Sequence, residues 1–174
     1  MELPELTPNH FEILAVRELR KAGFEVLEVR THRRTELAEP EHGFLLELTA
    51  ALNHGAWRRR AIIACRRQQG PVGRDAVVLV TDRKGEAKAE AAILFCFPDV
   101  TPDAAGAAAD LGVALLRIVD GRSAFDASGW GPPGHYPAWL PAYLAQAMER
   151  DSAGVVRYRL LDAGRADLIL NQLR

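Results

Sequence analysis

Phe44-Leu45-Leu46-Glu47-Leu48-Thr49-Ala50-Ala51-Leu52-Asn53-His54-Gly55-Ala56-Trp57-Arg58-Arg59-Arg60-Ala61-Ile62-Ile63-Ala64-Cys65-Arg66 joins two apolar runs through a turn. The four residues from Asn53 to Ala56 include types that tolerate left-handed backbone, so the segment predicts strands over Phe44 to Leu52 and Trp57 to Arg66, closed into a hairpin. Upstream, Thr7-Pro8 opens a helix whose apolar stripe is Phe11, Leu14, Ala15, Leu19 and Ala22, and Gly23 stops it. Phe24 to Val29 then reads as a strand, and Thr31 to Gly43 as a polar loop.

Downstream, Val72 to about Lys84 predicts a helix with Ala76, Leu79 and Val80 inward, although Val77 to Thr81 alone has strand character. Ala91 to Phe97 is an unbroken apolar run suited to a central strand. Thr101-Pro102 opens a helix that runs to Leu111, with Gly112 as its stop, and Val113 to Val119 is the next strand. This order predicts an α/β fold, a mixed sheet with helices on both faces, over residues 1–127. Residues 128–174 read as a Gly- and Pro-rich linker and a small C-terminal α/β extension. Its expected parts are a helix over Pro137 to Arg150 carrying a Trp139, Leu140, Tyr143, Leu144 and Ala147 stripe, a strand over Val155 to Leu161, and a short helix over Ala166 to Leu173. That stripe suits packing on the core, a second copy of the chain or a protein partner.

Composition narrows the function classes. The 174 residues carry 22 Lys plus Arg against 23 Asp plus Glu, with 48% hydrophobic residues, which excludes disorder for most of the chain and a globally basic nucleic-acid binder. The start, Met1-Glu2-Leu3-Pro4-Glu5, has acids where a signal peptide has bases, and no apolar run suits a membrane span, so a cytoplasmic protein is expected. Cys65 and Cys96 lie within apolar runs and read as core thiols. His10, His32, His42, His54 and His135 show no paired spacing that would suggest zinc.

Several motifs in order resemble the Mrr-type restriction-endonuclease-like domain of the PD-(D/E)XK nuclease superfamily. They are Phe11-Glu12 opening the first helix, Leu19-Arg20-Lys21-Ala22-Gly23-Phe24-Glu25-Val26 closing it, the two strands of the hairpin, and Leu111-Gly112-Val113-Ala114-Leu115-Leu116-Arg117-Ile118-Val119-Asp120-Gly121. The resemblance implies Mg²⁺-dependent cleavage of DNA, with an acid on the second strand and Glu/Gln-X-Lys on the third. Carboxylates hold the ion, which lowers the pKa of the attacking water, and Lys stabilises developing charge. The acid matches Glu47, whereas the tripeptide matches Ala64-Cys65-Arg66. Alanine offers a metal no oxygen, and arginine is a fixed fork of donors, so the motif reads as degenerate.

Alternation places Ala64 and Arg66 on one face and Glu47 on the neighbouring strand, so a Glu47–Arg66 pair in place of a metal is expected. Glu12, Glu39 and Glu41 are the acids that could complete a migrated Mg²⁺ site with Glu47. Between Trp57 and Arg74 stand Arg58, Arg59, Arg60, Arg66, Arg67 and Arg74 with no acid. With His32, Arg33 and Arg34 they could track the phosphates of double-stranded DNA, or simply be solvated charges split between two faces. Three functions follow from these features: DNA association without efficient cleavage, an active Mg²⁺-dependent endonuclease, and a protein-interaction module that has lost DNA.

Overall fold

The computed structural model describes residues 4–36 and 43–173. The first helix, α1 (Pro8–Ala22), is built as its sequence dictates. Thr7 accepts a hydrogen bond from the His10 amide at 3.2 Å, and Gly23 ends the helix at φ 114, a backbone region that favours glycine. Phe11, Leu14, Ala15, Leu19 and Ala22 are all buried. The elements that follow are β1 (Glu25–Glu36), β2 (Phe44–His54), β3 (Trp57–Arg67), α2 (Arg74–Glu86), β4 (Ala91–Phe97), α3 (Pro102–Leu111), β5 (Ala114–Asp120), α4 (Gly121–Ser128), β6 (Tyr143–Arg150), β7 (Val156–Leu160) and α5 (Asp167–Leu170).

The described strands form a seven-stranded sheet whose spatial order is the chain order, β1 to β7. The pairs β3–β4 and β4–β5 are parallel and the others antiparallel. The fold is therefore the mixed sheet with helices on both faces that the sequence predicts, consistent with a restriction-endonuclease-like architecture. Helices α1 and α5 cover one face, where Leu46, Leu48, Ile63, Cys65, Ile93 and Phe95 point. Helices α2 and α3 cover the other, over Ile62, Ala64, Ala92, Leu94 and Cys96. Both thiols are fully buried and unpaired, one on each face.

The structure corrects three readings. Residues 31–36, expected in a loop, continue β1, because β2 is a long strand with its first seven residues buried and needs a partner along that length. As a sheet edge, β1 keeps polar side chains in solvent and bends through register shifts near Glu28, which sits at φ 53. The expected helix over 137–150 is instead a turn region followed by β6, which pairs with both β5 and β7. Pro137 and Pro141 break the helical ladder ahead of it, and Tyr143, Ala145 and Ala147 enter one core while Met148 enters the other. Trp139, expected on that helical stripe, is 70% exposed. Finally, α4 escaped prediction. Asp120 caps it by accepting from the Arg122 amide at 2.7 Å.

Candidate functional site

The hairpin register puts Glu47 directly opposite Ala64, Leu45 opposite Arg66 and Thr49 opposite Ile62. Cross-strand partners share a face, so all six side chains belong to the side covered by α2. Glu47 is 2% exposed, a burial that a carboxylate tolerates only when paired. Its partner is not Arg66, as the sequence led us to expect, but Arg83 on α2, whose Nε donates to Glu47 Oε2 at 3.0 Å. Arg66 turns along its own strand instead, and its Nε donates to Gln68 Oε1 at 3.0 Å. Hydrogen bonding to Glu47, reinforced by that carboxylate's charge, holds the Arg83 guanidinium above its ordinary basicity. A second donor of Arg83 reaches Glu86.

The other acids do not gather here. Glu12 lies on the α1 side, where Oε1 accepts from Thr31 at 2.8 Å and Oε2 from Arg34 Nη2 at 2.9 Å. Glu39 and Glu41 fall outside the described residues. Among the described residues no cluster of three His, Cys, Asp or Glu side chains is placed to hold a metal ion. Opposite Glu47 stands an alanine, and both Glu47 and the neighbouring acid Glu86 are already bonded to Arg83, which is chemistry for an anion rather than for Mg²⁺. The residues present do not fit the ion that the family's catalysis implies.

The predicted arginines divide between locations. Arg60 lies on the Glu47 face and lines a cavity of about 370 Å³ together with Arg30, His32, Glu47, Thr49, Ile62, Arg83, Glu86 and Ala87. Arg58 is exposed on the same strand, and Arg59, on the opposite face, lies 3.8 Å from Glu90. Arg33 is the β1 residue opposite Glu47. The remaining three are committed elsewhere. Arg34 pairs with Glu12, while Arg74 reaches Asp103 at 3.9 Å. Arg67 donates to the Leu6 carbonyl at 2.6 Å with its side chain only 16% exposed.

Sequence reasoning missed Arg30, Arg83 and Glu86. A signal for Arg83 was present, since Ala76, Val80 and Arg83 follow the four-then-three spacing of one helix face, which aims Arg83 at the sheet. Arg30 had no such signal, because its face depends on the register shift that precedes it in β1.

No curated protein and no solved structure matches the chain. The described helices include none long and apolar enough to cross a membrane. Residues 3–123 do match the family model Mrr_cat, restriction endonuclease, and that span holds α1, the hairpin with Glu47 and Ala64-Cys65-Arg66, and the two strand–helix–strand crossovers behind it. By its fold and by this match, the chain belongs to the Mrr_cat restriction endonuclease family.

Proposed function

We propose that this chain is a DNA-associating member of its family whose catalytic motif is degenerate, so that it holds duplex DNA without cutting it efficiently. The observation that carries the reading is the seat of Arg83 on Glu47, directly across from Ala64: the buried acid is neutralised by a guanidinium and faces a methyl group. Hydrolysis of a phosphodiester needs a metal or an equivalent group to generate the nucleophile and stabilise charge. DNA association is supported by Arg30, Arg58 and Arg60, which are exposed and whose guanidiniums have no ion pair or hydrogen bond among the described residues. Such groups act through phosphates, and sequence tolerance follows.

The test is duplex binding across a salt series, with plasmid cleavage assayed in parallel in Mg²⁺ and Mn²⁺. Binding should weaken with salt by a log–log slope of about −0.9 per phosphate contacted, and Arg58→Ala should both weaken and flatten it. The plasmid should stay intact. Nicking that Glu47→Ala abolishes would install the active Mg²⁺-dependent endonuclease in place of this reading. Absence of binding at low salt would favour the protein-interaction module.

A further inference from the structure

The cavity beside Glu47 has a composition that the loss of a metal site does not require. Its cations are Arg30, Arg60 and Arg83 and its anions Glu47 and Glu86, and both carboxylates are already bonded to Arg83. Arg30 sits opposite Thr49 and Arg60 opposite Ala51, the two sheet positions that follow Glu47 on its face, so the backbone register itself brings both arginines to this wall. A guanidinium carries five N–H donors. Arg83 spends one on Glu47 and one on Glu86, which leaves donors for a ligand, while the guanidiniums of Arg30 and Arg60 spend none on the described residues. Ile62 supplies an apolar wall, and the Thr49 hydroxyl is held by the His32 ring. At about 370 Å³ the space lies at the small end of ligand sites and suits one phosphate with its sugar.

We propose that this cavity is a phosphate-binding pocket in which Arg30 and Arg60 grip the anion and Arg83, fixed by Glu47, completes the cradle. The guanidiniums thus neutralise phosphate oxygens on the face where the family's metal would do so. This deepens the DNA-association reading and rests on it for the ligand's origin, a phosphate belonging to nucleic acid. That phosphate is either a terminal monoester or a phosphodiester within a strand.

Three probes separate these sources, each titrated against the full chain by calorimetry: inorganic phosphate, a short duplex with 5′-phosphates, and the same duplex with 5′-hydroxyls. Arg30→Ala with Arg60→Ala is the test variant, since neither guanidinium has a partner among the described residues and the fold should survive. Inorganic phosphate should bind the wild type and lose about tenfold or more in the variant, as expected for charge-assisted hydrogen bonds. A preference for the 5′-phosphorylated duplex that vanishes in the variant identifies a terminal phosphate, and equal losses on both duplexes identify an internal one. If the variant binds all three probes as the wild type does, while Arg58→Ala still weakens duplex binding, the pocket is refuted and the DNA reading stands. If inorganic phosphate binds in an Arg30- and Arg60-dependent manner but neither duplex binds, the anion pocket stands and the nucleic-acid reading falls. No binding of any probe overturns both.

Discussion

Glu47 and Ala64 stand directly opposite each other in the β2–β3 register, and Ala64 lies in the same core as Ala76, Val77 and Val80 of α2. A second carboxylate at position 64 would sit with its Cβ about 4.5–5.5 Å from that of Glu47. Arg83, however, already occupies the first. Ala64→Glu with Arg66→Lys should therefore gain no Mg²⁺-dependent rise in Tm, whereas adding Arg83→Gln should produce one, by preferential binding to the folded state. Thermal melts with and without Mg²⁺ decide this, with Ala64→Gln as the control for overpacking, which costs about 1–3 kcal/mol on its own. A Mg²⁺-dependent rise in the unmodified protein would overturn the reading of the site.

Arg83 and Arg66 should separate sharply in denaturant. Removing Arg83 leaves a buried carboxylate uncompensated, so Arg83→Ala should cost about 2–3 kcal/mol. Arg66→Ala gives up a hydrogen bond to the neutral Gln68 amide and should cost about 1 kcal/mol or less. Urea midpoints measure both, and the reverse order would mean that Glu47 is stabilised by something other than Arg83.

Two glycines test local packing in opposite senses. A Cβ on Gly121 would lie 1.9 Å from the Pro141 carbonyl oxygen, where the Gly121 amide also donates to Ala142 at 2.8 Å. Gly121→Ala should therefore destabilise by about 1–3 kcal/mol, because the chain leading into β6 must move. Gly106, inside α3 with nothing near its added methyl, behaves in the opposite sense. Gly106→Ala should stabilise by about 0.5–1 kcal/mol. Denaturation midpoints of the two variants should move in opposite directions.

Alkaline pH should loosen the fold through its thiols. Burial pushes the ionisation of both Cys65 and Cys96 well above the ordinary thiol range. Below that range both states hold the protons and the thiols add no pH dependence. Above about pH 8.5 the unfolded chain releases them while the folded chain does not, so stability falls as pH rises. Urea unfolding from neutral pH to about pH 10 should show this decline, and Cys65→Ala with Cys96→Ala should reduce its slope. A slope unchanged in the double variant would assign the decline to other groups.

The parts legible in the sequence were those fixed by local signals. Thr7, Pro8 and Gly23 bound α1, and the Asn53 to Ala56 turn sets the register that brings Glu47 to Ala64. Where meaning depended on a distant partner, the sequence was silent or misleading. The run from Tyr143 to Met148 is rich in Leu, Ala and Met, which suit a helix, and only the open edge of β5 makes it a strand. Glu47 was legible as an acid on the second strand, but its cation arrives from 36 residues further along, through the docking of α2. Periodicity could show which way Arg83 points without showing what it meets.

The agreement between spatial and chain order in the sheet bears on how the molecule can be assembled. During synthesis each strand leaves the ribosome next to the one already available to pair with it, so no strand must wait for a later one to be inserted beside it. Each new strand adds at the margin opposite β1, and among the described strands the last is β7, a short strand that turns Arg157 and Arg159 outward. Charge on a short terminal strand discourages a further strand from adding there. The arrangement thus gives the nascent sheet a direction of extension and a place at which to stop.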